Sequence, residues 1–344
     1  MILPTILAGL GAGVAAAAVM PAVISIAHRT GAVDHPGHLK PHERAMPVLG
    51  GVAIVFGAVL ATSIAITVQA APDAAAARVA IALLVASMAV AGLGLIDDLR
   101  GLSPRLRLAA ELAIAATWVI WAWTSGQLPH PVLIPVGVLW LVGLTNAVNM
   151  IDGLDGLAGT CGLVGGAAVS MLGAHRGDAA SAILGACLAG GCLGFLVFNR
   201  PPARVFMGDA GAYFLGFMAG GLVLIAGASD AKGSPDWSSL LGVSVVWGVP
   251  VADIVLAMTR RILSGHPPFS GDRSHFYDQI RDRWGTTVPQ TLGVMAIGYL
   301  AYALAGLGIS HLPALWALLA TAGTVLVTVV GLIAGRFFSP EAEG

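Results

Sequence analysis

The chain has 344 residues, of which 57% are hydrophobic and only 10% charged, with a mean hydropathy of +0.87. Soluble domains carry about a quarter charged residues, so this composition excludes an ordinary water-soluble protein and points to a membrane one. A net charge of -1 gives no sign of a nucleic-acid or other acidic partner.

The N-terminal apolar segment has no basic residue ahead of it, unlike a cleavable leader, and is expected to remain as a helix. After it, stretches long enough to cross a hydrocarbon core of roughly 30 Å recur along the whole chain. Spans are predicted at 2–28, 48–70, 78–96, 104–124, 132–149, 157–174, 179–198, 211–228, 239–262, 288–308 and 312–334. The expected fold is an all-α polytopic membrane protein of about eleven transmembrane helices, forming one domain over 1–344.

Small residues four apart, Gly190 with Gly194 and Gly216 with Gly220, are expected to let helices approach closely. Pro250, just after Gly248, is expected to kink the ninth span. Cys161, Cys187 and Cys192 lie in apolar segments without disulfide or metal spacing and read as small buried hydrophobes. Alternating spans divide the loops into two sets, and of the seventeen Lys and Arg only Arg78, Arg176 and Lys232 fall in one of them. By the positive-inside rule the other set is cytoplasmic, with the N-terminus outside and the C-terminus inside.

The acids placed to do chemistry follow the same asymmetry, except Asp253, which falls within the kinked ninth span. Asp97 and Asp98 close the third span in GLGLIDDLRGLS. Adjacent carboxylates at a low-dielectric boundary either call for a cation, such as a hard divalent ion, or merely end the helix in water. In NAVNMIDGLDGLAGT, Asn146, Asn149, Asp152 and Asp155 surround a glycine-punctuated helix break, a density of donors and acceptors that a plain turn does not need. Asp209, in FNRPPARVFMGDAGAYFLGF, stands where the eighth span begins, placed to bind a metal beside a helix N-terminus or simply to cap it.

These runs, in this order, resemble the polyprenyl-phosphate N-acetylhexosamine-1-phosphate transferase family from Asp34 to about Gln279. The first motif, DHPGHLKPHERAMPVLGG, matches at Asp34, Pro36, Lys40, His42, Pro47, Gly50 and Gly51, with Leu39 in place of the usual Arg. The resemblance implies Asp97 and Asp98 as the catalytic acidic pair and Asp209 as chief ligand of magnesium, with manganese as an alternative ion and Asp98 assisting. It implies that Lys40 contacts the nucleotide or lipid phosphate and that His42 binds substrate, and that Asn149, Asp152, Asp155, Asn199 and Phe206 line a uridine-nucleotide pocket. The last polar loop, GHPPFSGDRSHFYDQI, keeps Asp272, Arg273 and His275 but has Tyr277 and Asp278 where the family carries further His. His275 and Arg273 would meet the diphosphate or sugar, and Tyr277 and Asp278 the sugar.

The implied partners are a UDP-N-acetylhexosamine, a polyprenyl (undecaprenyl) phosphate and the bilayer, without nucleic acid; a homodimer is compatible with this. The implied setting is the bacterial cytoplasmic (inner) membrane, multi-pass, with transfer starting a lipid-linked envelope glycan. The alternative function class is a transporter or translocator of a lipid-linked sugar. That class places carboxylates near mid-membrane along a path, whereas here they gather at one interface.

Overall fold

The computed structural model describes residues 1–36, 44–69, 74–128, 130–227, 235–267 and 275–338. Among these residues the chain forms helices α1 (Ile2–Thr30), α2 (Gly50–Gln69), α3 (Ala74–Arg100), α4 (Pro104–Thr124), α5 (Leu133–Ile151), α6 (Leu157–Arg176) and α7 (Ala179–Asn199). They continue with α8 (Gly208–Ala226), α9 (Trp237–Val246), α10 (Gly248–Leu263), α11 (Phe276–Trp284), α12 (Val288–Ser310) and α13 (Ala314–Ala334). Ten are long and apolar enough to cross a membrane, or up to eleven if α9 and α10, bent by 68° at their junction, count together as one span. Helices are what such segments must form, since lipid offers no partner to an open backbone N–H or C=O.

Local chemistry sets the ends. Ser103 caps α4, accepting from Leu106 N at 3.3 Å, with Pro104 at the first position where no N–H is missed. Asp178 caps α7 in the same way, and Thr287 with Gln290 forms a capping box on α12. The break between α9 and α10 lies at Trp247, three residues before Pro250, the residue expected to cause it. Proline removes a ladder donor and clashes with the preceding turn.

One stretch departs from expectation. Residues 263–287 read as a loop, yet they contain α11, which buries Tyr277, Gln279 and Ile280 on one face and carries Arg281 and Arg283 in its last turn. A nine-residue polar helix escapes a search for apolar spans.

The core is built on α6, α7 and α8, the most enclosed spans. Gly190 and Gly194 face backbone carbonyls of Gly9 and Gly13 on α1, while Gly216 and Gly220 face Thr145 and Leu141 on α5, so both pairs are the packing features expected. Cys161, Cys187 and Cys192 are free and buried. By contrast α13 buries only Ala317 and turns its Leu and Val side chains outward, as a lipid-facing helix does.

A short antiparallel ribbon, β1 (Val33–Asp34) against β2 (Met46–Pro47), precedes α2. Its far side is tied to the α7–α8 connection, because Phe206 N donates to Pro47 O at 2.8 Å and Gly50 N to Phe206 O at 2.9 Å. The chain then enters α2 through Gly51, where a Cβ would overlap the Gly211 Cα of α8. These contacts fix the start of α8, on which the candidate site is built.

Candidate active site

The C-terminal ends of α3, α5 and α7 meet the N-terminal ends of α4, α6 and α8, and the polar residues converge there. α3 runs four residues past its predicted end, so Asp97 and Asp98 lie in its last turn. Successive residues on a helix point about 100° apart, and the two carboxylates serve different neighbours. Asp97 Oδ1 accepts from Leu102 N at 2.6 Å, and Oδ2 pairs with Arg107 Nη1 of α4 at 3.1 Å. Asp98 Oδ1 accepts from Asp209 N at 2.9 Å and Oδ2 from Ala210 N at 3.1 Å, so Asp98 caps α8 across the bundle.

Asp209 is thereby held by its own backbone, in the first turn of α8. Its side chain receives Asn149 Nδ2 at 2.7 Å from the last turn of α5, and lies within hydrogen-bonding reach of Asp97. Gly94 makes room for this, since a Cβ there would collide with the Asp209 carbonyl. Three elements thus bring together Asp97, Asp209 and Asn149, with Arg107 alongside.

The turn between α5 and α6 supplies the next wall. Asp152 N donates to Asn149 O at 3.2 Å, and the Asp152 carboxyl takes a hydrogen bond from the Gly208 backbone. Burial, then repulsion from Asp209, Asp98 and Asp155, holds its pKa well above the usual carboxylate range. Asp155 Oδ2 accepts from Ala203 N at 2.9 Å, tying this turn to the α7–α8 connection. Asn199 is buried and uses both ends of its amide on backbone, accepting from Gly156 N and donating to Val205 O, each at 2.8 Å. Asp155 and Asn199 therefore shape the wall through their bonds to backbone. Phe206 is half-buried in the same connection.

α11 approaches this wall from the other side. Tyr277 is buried with its phenol oxygen against Gly153, and its ring stacks on His275 with centroids 5.7 Å apart and planes within 5°. Asp278 is half-buried in the first turn of α11. Lys40, His42, Asp272 and Arg273 lie outside the described residues.

Two residues of the cluster, Arg107 and Glu111, have no assigned role in the sequence. Arg107 counted only as a loop charge, yet it pairs with Asp97 and lies over the Tyr213 ring, 5.9 Å from its centroid. Glu111, one turn further along α4 and fully enclosed, faces Arg107 Nε at 4.0 Å and accepts from Asn146 Nδ2 at 2.5 Å. A lone acid inside an apolar span is itself a functional signal, and it was there to be read.

Among the described residues no three His, Cys, Asp or Glu side chains form a ready metal cage. Magnesium does not require one, since it keeps waters and substrate phosphate and takes only one or two carboxylates. Asp97 and Asp209 would be the carboxylates to hold it. Two neighbouring carboxylates with one partnering guanidinium fit a hard divalent cation.

The chain is also similar to known proteins. A model described as Glycosyl transferase family 4 matches residues 80–227, from α3 to the end of α8. A Bacillus subtilis protein described as "Probable undecaprenyl-phosphate N-acetylglucosaminyl 1-phosphate transferase" is 32% identical over 272 residues, 76% of this chain and 73% of the relative. A decaprenyl-phosphate N-acetylglucosaminephosphotransferase of Mycobacterium tuberculosis is 33% identical over 287 residues, 74% of this chain and 70% of the relative. A phospho-N-acetylmuramoyl-pentapeptide-transferase of Rippkaea orientalis is 31% identical over 211 residues, 55% of each. Since the matched region holds every helix end that meets at the acidic cluster, and the likeness to the first two relatives runs through about three quarters of the chain, this protein belongs to glycosyl transferase family 4.

Proposed function

We propose that the protein transfers an N-acetylhexosamine-1-phosphate from a UDP-sugar to a polyprenyl phosphate at the cytoplasmic face of a bacterial inner membrane. The product is a diphosphate-linked lipid that starts an envelope glycan, and UMP is released. The observation that carries this reading is the meeting of Asp97, Asp209, Asn149 and Arg107 at helix ends. A lipid phosphate held in the bilayer and a soluble nucleotide can both reach such an edge. A transport path would instead need polar groups across the mid-membrane, and the names of the relatives are those of transferases.

In this mechanism an oxygen of the lipid phosphate attacks the β-phosphorus of the UDP-sugar, and the bond from that phosphorus to the bridging oxygen of UMP breaks. Asp97 takes or shields the proton of the lipid phosphate, and Arg107 supplies positive charge beside it. Asp98 contributes by fixing the first turn of α8 and hence Asp209. Asp209, with Asp97 beside it, would hold a magnesium ion, which would supply charge neutralisation for the diphosphate. Asn149, Asp152 and the wall built on Asp155, Asn199 and Phe206 receive the uridine nucleotide. His275 and Arg273 meet the diphosphate, Lys40 and His42 the phosphates, and Tyr277 and Asp278 the sugar. Positioning and charge neutralisation are the main demands of phosphoryl transfer, and direct attack needs no covalent enzyme intermediate.

The donor we favour is UDP-N-acetylglucosamine, the sugar in the names of the relatives that cover most of this chain. Purified protein given undecaprenyl phosphate and UDP-N-acetylglucosamine labelled in the sugar is expected to move label into extractable lipid, and to stop when a chelator removes divalent ions. No label in lipid with this donor or UDP-N-acetylmuramoyl-pentapeptide would end the reading. The orientation has its own test, because reporters fused after Gly126 and Gly177 are expected outside and those after Arg100 and Arg281 inside. Reversed labelling would put the acids on the side without UDP-sugars.

A further inference from the structure

Asp253 has no part in the mechanism above, yet it is an acid only 2% exposed on α10. Burying a carboxylate in a membrane helix is costly unless donors meet it, and here two do. Its Oδ2 faces His275 Nδ1 at 2.8 Å, and its Oδ1 accepts from Phe276 N at 2.6 Å. One carboxylate thus holds both the imidazole and the first residue of α11. His275 stacks on Tyr277, whose phenol oxygen packs on Gly153, inside the turn that carries Asp152 and Asp155. A continuous line of contacts therefore runs from α10 to the acidic wall. The 68° bend between α9 and α10 sets the direction in which α10 presents Asp253.

We propose that Asp253 is a positioning residue for the transfer, holding the His275 ring by its Nδ1 so that Nε2 is the atom offered to the diphosphate. This rests on the reading that His275 contacts substrate. The physical ground is general: the partner of one imidazole nitrogen fixes the ring's orientation and decides what the other nitrogen can do. The same carboxylate anchors the start of α11, so ring and helix are set together.

The test is a double-mutant cycle on the full-length protein with Asp253→Asn, His275→Ala and both, reading kcat, KM for UDP-N-acetylglucosamine and thermal unfolding. Asparagine keeps the size but has one acceptor oxygen for two donors. Asp253→Asn is expected to lower kcat by about 10- to 100-fold, by analogy with the partners that orient metal-ligating histidines, with KM within about twofold. In the His275→Ala background it should cost less than about twofold more, since a residue acting through another has nothing left to position. Multiplying losses, normal kcat in Asp253→Asn, or full activity in His275→Ala would overturn the proposal. Asp253→Glu keeps both acceptors, serves if Asp253→Asn does not fold, and should retain more kcat than His275→Ala; equal loss would count against positioning. A readout independent of turnover is the ¹⁵N resonance of the His275 ring, identified by its absence in His275→Ala. Asp253→Asn or Asp253→Glu should shift it, and an unshifted resonance overturns the proposal even if transfer itself is not observed. Absence of transfer in the unmodified protein, with the shift present, would instead sink the proposed function alone.

Discussion

Asp209→Asn is expected to lower transfer by about a hundredfold or more while leaving the protein folded. A hundredfold loss corresponds to about 2.7 kcal/mol of transition-state stabilisation, within the range seen when a preorganised charge is removed from a site. Two effects add here. The substitution removes the negative charge proposed to balance a cation and the diphosphate, and it sets an amide where Asn149 Nδ2 now donates to a carboxylate oxygen at 2.7 Å. Folding should survive because the start of α8 is held through the Asp209 backbone N–H, which the substitution keeps. The measurement is kcat with unfolding temperature on the same preparation, over a magnesium titration. Near-normal turnover of folded Asp209→Asn, or full activity in chelator, would remove Asp209 from the centre of the site.

How much of this was legible follows from what each part depends on. The spans were readable because lipid imposes a length and an apolar composition on each one independently. The break before α10 was readable because Pro250 carries its cause with it. The division of labour between Asp97 and Asp98 was not. Neighbours on a helix face different elements, and only the placement of α4 and α8 shows that one carboxylate meets Arg107 and the other the backbone of Asp209 and Ala210. Arg107 itself stood ten residues after Asp97, separated from it by a turn whose geometry the sequence does not state. Asn199 matched a family pattern, and that its amide also joins Gly156 to Val205 is a pairing between distant segments that no local signal announces. Likewise α11 was hidden because its amphipathic pattern is short and polar, and Asp253 because its role depends on the direction in which α10 leaves the bend.

The distinction between the paired acids gives the second large effect, which should differ in kind from the first. Asp98→Ala removes the acceptors for two backbone N–H groups at the start of α8, Asp209 N at 2.9 Å and Ala210 N at 3.1 Å. Loss of a helix cap costs about 0.5 to 2 kcal/mol, and a stranded partly buried N–H about 1 to 3 kcal/mol. Asp98→Ala is therefore expected to lower the unfolding temperature, and also to reduce kcat by about a hundredfold because Asp209 is no longer held in register with Asp97 and Asn149. Asp98→Asn keeps one acceptor oxygen, so it should fall between the two in both measurements. The informative comparison is across residues. Asp209→Asn should lose activity at nearly unchanged stability, whereas the Asp98 variants should lose both together. If Asp98→Ala unfolds at the same temperature as the unmodified protein yet is inactive, Asp98 acts directly on the ion or phosphate through its remaining lone pairs, and its capping of α8 is incidental to the reaction.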